Sequence, residues 1–166
     1  MSIRRAAVLG FALLGCDSEP RGEVDVLFTD AWVLAEPGET PWLADGVGEP
    51  CLKSAFGDEG AFFEVETDAC PWGTWSQTLA RPVRGGRLQF EFHHLDLRAP
   101  TPATAYVELG IGSATLWTFE AAIPGEGARF DIDVPVPDQD LGDVAWLHVH
   151  NHGDNSYRLG AVTHVP

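Results

Sequence analysis

The sequence predicts an all-β domain, an antiparallel two-sheet sandwich of jelly-roll type, and three observations predict it. Apolar and polar residues alternate with a period of two through many short segments. Turn residues recur between those segments, with 18 glycines and 12 prolines in 166 residues. Little of the chain repeats apolar residues at the 3.6-residue spacing of a helix.

The strands follow in order. Residues 24–28 open the domain. Phe63, Val65 and Thr67 then alternate with Glu64 and Glu66, and residues 75–79 form the next apolar run. Leu88, Phe90 and Phe92 alternate with Gln89 and Glu91, and Val107, Leu109 and Ile111 flank Glu108. Residues 116–121 precede the clearest case, in which Phe130, Ile132, Val134 and Val136 enclose Asp131 and Asp133. Pro135 marks that strand as an edge, because proline cannot donate to a ladder. Residues 144–149 and 157–165 complete about nine short strands, the number expected of a sandwich. Residues 36–60 differ, since their prolines and glycines leave no room for a long regular element. They read as a long loop region, and loops of that length in a compact domain are functional or need a tie.

The first sixteen residues form a separate unit. Arg4 and Arg5 precede the apolar run 6–15, the plan of a secretory leader. As a helix the run reaches only ~15 Å, about half of a ~30 Å hydrocarbon core, so it is too short to span. Leu13-Leu14-Gly15-Cys16 resembles the lipobox of bacterial lipoproteins. That resemblance implies removal of residues 1–15, acylation of Cys16, and membrane attachment through lipid, facing the periplasm or exterior of the bacterial envelope. Asp17 is similar to the residue that holds some such proteins at the inner membrane. Residues 16–23 then serve as tether, with Pro20 and Gly22, and residues 24–166 as one domain.

Of the three cysteines, Cys51 and Cys70 remain once Cys16 is taken by lipid. In an oxidising compartment they are expected to pair, closing a loop of about 20 residues and contributing ~3 kcal/mol while tying the loop region down. Loss of the leader removes two arginines and no acid, so the formal charge of −15 would move to −17. Such a charge disfavours nucleic acid and anionic headgroups as partners.

Three constellations carry possible chemistry. His148, His150 and His152 are spaced by two and share a face if they lie on a strand. Two such imidazoles could share a transition metal, with His93 or His94 completing the set from a neighbouring strand. The stretch from Gly142 to Asp154 resembles the first motif of the cupins, with Asp154 standing where that motif has glutamate. The resemblance implies His148, His150 and Asp154 as metal ligands, in a carrier or a cupin-like enzyme. Without metal, His148 and His150 simply face outward from a strand whose inner residues are Ala145, Leu147 and Val149. Secondly, Trp42, Trp72, Trp75 and Tyr157 fall in or beside loops, where flat rings would suit a carbohydrate or protein ligand. Thirdly, the run Asp138-Gln139-Asp140-Leu141-Gly142-Asp143 offers carboxylates for a structural calcium, though without the spacing of a helix-loop-helix site. No nucleophile elbow, zinc-protease helix or phosphate loop is present, so the leading expectation is a lipid-anchored binding module without catalysis.

Overall fold

The computed structural model describes residues 22–36, 38–43, 51–68 and 70–166, and its regular structure is almost entirely β. The leader, Cys16 and most of the tether lie outside the described residues. Twelve strands are present among the described residues: β1 Val24–Leu27, β2 Val33–Leu34, β3 Phe56–Asp58, β4 Phe62–Glu66, β5 Trp72–Thr78, β6 Arg87–His94, β7 Ala103–Ile111, β8 Ala114–Ile123, β9 Ala128–Pro135, β10 Val144–His150, β11 Ser156–Gly160 and β12 Val162–Val165. They form two antiparallel sheets, as the alternation predicts.

The first sheet is organised around β6. One edge of β6 pairs with β9 from Arg87 opposite Pro135 to His94 opposite Ala128. Its other edge takes β12 near Gln89 and β11 near Phe92, so these two short strands run on from one another with a break at Ala161. The far side of that composite strand receives β1 against β12 and β4 against β11, with β3 outside β4. The second sheet has the order β2-β5-β10-β7-β8. From β4 to β6 and again from β8 to β11 the chain alternates between the sheets, the path of a jelly roll. Within the second sheet β7 and β8 form a hairpin whose two-residue turn places Gly112 at φ 56°, a conformation glycine adopts freely.

The period-two pattern explains which residues are inside. Val26, Phe63, Val65, Leu88, Phe90, Phe92, Tyr157 and Leu159 line the inner face of the first sheet and are buried. Trp75, Ala105, Val107, Leu109, Ala145, Leu147 and Val149 answer them from the second. Each of the larger aliphatic and phenylalanine side chains among them contributes about 1.5–3 kcal/mol when fully buried, which is what holds the two layers together. β9 is an edge strand, as Pro135 implies, pairing among the described residues with β6 alone.

One expectation is corrected in detail. Residues 157–165 do not make one strand, because pairing to β6 breaks between Leu159 and Thr163. Among its described residues the loop region holds no long regular element, as expected; its one strand, β3, is three residues long and fits between Ala55 and the turn at Glu59 to Ala61. The disulfide Cys51–Cys70 is formed, with the Cα atoms 4.6 Å apart, and joins the loop region to the start of β5.

Candidate functional site

The outer face of the second sheet gathers the polar and aromatic side chains. Because Ala145, Leu147 and Val149 of β10 face the core, Trp146, His148 and His150 face away from it. Register then fixes their neighbours. His150 lies between Trp72 of β5 and Tyr106 of β7, and Tyr106 pairs onward with Glu120 of β8. The next row is Thr74, His148, Glu108 and Thr118. At ~4.8 Å per strand, each row crosses about 14 Å of sheet.

Trp42, on the 3₁₀ turn Pro41–Leu43, closes over the second row. Its ring stacks on His148 at 4.1 Å with planes 3° apart, and its Nε1 donates to Glu108 Oε2 at 2.8 Å. Thr115 donates to the other oxygen of the same carboxylate. Trp42 also meets Tyr106 edge-on at 5.9 Å, while Trp72 meets His148 edge-on at 5.2 Å from the other side. The turn before Trp42 is held by Glu39, which accepts from the Glu36 amide at 2.9 Å and from Ser76 at 3.2 Å. Trp42 is therefore fixed from three directions, and only part of it reaches solvent.

Beside it opens a cleft of about 680 Å³, bordered by Trp42, Thr104, Tyr106, Glu120, His150 and His152. Among the described residues no lysine or arginine lines it. His148 is wholly buried, and burial, with a smaller contribution from His150, lowers its pKa to about 3. Its Nδ1 lies 2.9 Å from Thr74 Oγ1, and its Nε2 has no partner among the described residues. Burial and then His152 also lower His150, so both imidazoles are neutral at pH 7. Burial and the nearby Glu108 carboxylate raise the Tyr106 phenol, which keeps it a hydroxyl. A neutral, hydrogen-bonding cleft with one carboxylate and a fixed indole can receive a polyhydroxylated, uncharged ligand.

The residues expected to bind ligand are only partly brought together. Trp42 and Trp72 do flank one another across His148. Trp75 is instead in the core at 0% exposure, edge-on to Phe56 and Phe63, because it sits one position out of phase with Trp72 along β5. Tyr157 is buried too, its hydroxyl donating to Asn151 Oδ1 at 2.7 Å. Asn151 and Asn155 bond to each other and, with Thr67, lock the turn after β10 to the end of β4.

The expected metal set does not converge. His148 and His150 belong to the second sheet, but His94 ends β6 in the first, packed near Phe119, Phe130 and Tyr157. Asp154 is exposed in a different cleft, of about 970 Å³, bordered by the outer face of the first sheet. His93 is on that face, 3.3 Å from Glu91. Among the described residues no group of three His, Cys, Asp or Glu side chains is placed to share an ion. The run 138–143 spends its polar groups locally: Asp140 takes Arg84, and Asp143 accepts from the Asp140 amide at 2.7 Å. Glu64 is likewise engaged; burial raises its pKa, but hydrogen bonds from Arg158 and Ser156 outweigh that and leave it lowered.

Tyr106, Glu108 and Glu120 were not singled out from the sequence. The signal was present, because Val107, Leu109 and Ile111 facing inward commit Tyr106 and Glu108 to the outer face.

No family model and no curated protein matches the sequence. Among solved structures, a family 29 carbohydrate binding module is similar at 14% identity, covering 86% of this chain and 88% of that one, with a TM-score of 0.42. A family 29 module complexed with cellulohexaose is similar at 15% identity over 86% and 89%, TM-score 0.42. A structure described as CBM4 is similar at 13% over 84% and 89%, TM-score 0.45.

Proposed function

We propose that the domain binds an uncharged carbohydrate in the cleft beside Trp42. The observation that carries this is the fixing of Trp42: stacked on a buried His148 and bonded to Glu108, its ring is held before any ligand arrives. A ligand that meets a preorganised ring loses less entropy on binding, so affinity is not spent on ordering the site. Pyranose rings present C–H faces to an indole and hydroxyls to neighbouring polar groups. Tyr106, Thr104, His150, His152 and Glu120 supply those groups around the cleft. The absence of lysine and arginine from its wall among the described residues, with a formal charge of −15, argues against anionic ligands.

Affinity electrophoresis through gels containing neutral soluble polysaccharides tests this. Retardation by at least one of them is expected for the parent protein, and Trp42→Ala should lose it while keeping its far-ultraviolet spectrum. Failure of every neutral glycan, or retention unchanged by both Trp42→Ala and Tyr106→Ala, would overturn the proposal.

We further propose that residues 24–166 act from a membrane, attached by lipid on Cys16 through the tether 16–23. Support comes from the order of charge, apolar run, small residue and cysteine in residues 4–16. Two or more acyl chains anchor firmly where one binds marginally. In a bacterial host, the protein should partition into detergent and incorporate labelled palmitate, and Cys16→Ser should release it to the aqueous phase. Aqueous partition of the parent protein would refute the anchor.

A further inference from the structure

The sandwich is open along one side. β8 and β9 each form one edge of their sheet, on the same side of the sandwich, and most of their inward residues remain half-buried, Ile123 excepted. Trp117, Phe119 and Ala121 of β8 are paired with the core residues Leu109, Val107 and Ala105, so they are inward-facing by register. Phe130 and Ile132 of β9 are inward by the same reasoning, opposite Phe92 and Phe90. Between the two edges lies a cleft of about 480 Å³, within the size range of small-molecule sites.

Its walls are largely aromatic and aliphatic, with His94, Thr118, Glu120 and Glu126 as the polar members of the lining. The Nδ1 of His94 lies 2.9 Å from the carbonyl oxygen of Leu95. A carbonyl oxygen only accepts, so Nδ1 carries the hydrogen and, in the neutral ring, Nε2 is left as the acceptor. Among the described residues no hydrogen bond reaches that Nε2. The geometry points to a second binding site: we propose that this cleft takes a small, largely apolar molecule with a single hydroxyl, which donates to Nε2 of His94 while its body packs against Trp117, Phe119 and Phe130. A second copy of the chain is the other candidate for the open side. It is disfavoured because a formal charge of −15 on each copy opposes self-association.

This site does not rest on the carbohydrate proposal: of its lining residues Glu120 alone also borders the cleft beside Trp42, and the groups invoked here, His94, Trp117, Phe119 and Phe130, do not. Phenol and anisole, which differ in the hydroxyl hydrogen, are the probes, read from the Trp117 indole resonance and by calorimetry. Phenol should bind about five- to tenfold more tightly than anisole, the value of one neutral hydrogen bond. His94→Phe should erase that preference while anisole still binds, and Ala121→Phe, which fills the cleft, should abolish both. Should His94→Phe fail to fold, the phenol-to-anisole ratio of the parent protein and the Ala121→Phe result decide alone. No saturable binding, equal affinities in the parent protein, a preference that survives His94→Phe, or sedimentation showing that a second copy fills the cleft would each overturn the proposal.

Discussion

The indole of Trp42 lies flat on the imidazole of His148, 4.1 Å between centroids, and shuts that imidazole off from water completely. The pairing links a loop residue to the centre of β10 and makes the state of the cleft depend on a buried base. Losing the lid and charging the histidine are therefore coupled events.

Stability should fall in acid. The folded pKa of His148 is about 3 against 6.5 for the free side chain, so between those values the unfolded chain binds the extra proton. The stability is fully present above about pH 6.5 and drains away as pH falls toward 3, at a slope approaching about 1.4 kcal/mol per pH unit. Urea midpoints measured at pH 7, 5 and 4 should show this slope, and His148→Phe should flatten it by close to one proton.

Trp42→Ala should raise the His148 pKa. Desolvation is the leading cause of the depression, and Trp42 is one of the groups excluding water. An NMR titration should find the imidazole moving toward its ordinary value in the variant. A pKa that stays near 3 would place the desolvation elsewhere.

Reduction of Cys51–Cys70 should cost about 3 kcal/mol and loosen the segment before β5. Gly73 is tied to the same feature, since a Cβ there would come within 2.8 Å of Cys51 Sγ and 2.6 Å of the Trp75 ring. Gly73→Ala should lower the thermal midpoint by several degrees, and calorimetry should find the loss smaller in the reduced protein.

The turn after β10 should fail as a unit. Asn151→Ala removes the acceptor of Tyr157 and Asn155 and the donor to Thr67, and should cost about 3 kcal/mol. Tyr157→Phe, which deletes one bond and leaves Asn155 on the same oxygen, should cost about 1 kcal/mol. Chemical denaturation of the two variants checks the ratio.

What the chain made legible was periodic. Alternation through Phe130 to Val136 and through Leu88 to Phe92 identified strands and their inner faces, because a pleated strand throws successive side chains to opposite sides. The same rule placed His148 and His150 outside and, followed through β7, would have placed Tyr106 and Glu108 on the outer face of their own strand. The pairing of Cys51 with Cys70 was readable from cysteine counting once Cys16 was set aside and an oxidising compartment assumed.

Proximity across strands was decided by the tertiary structure. Nothing local puts Trp72, His150, Tyr106 and Glu120 in one row, since they come from four strands whose order and register depend on the whole sheet. Nor does anything local separate Trp72 from Trp75, three positions along one strand, into an outward and a core ring. His94 and His148 resemble one another in the sequence, yet they end in different sheets. Local pattern sets which way a side chain points, while long-range pairing and the packing of two layers set what it meets.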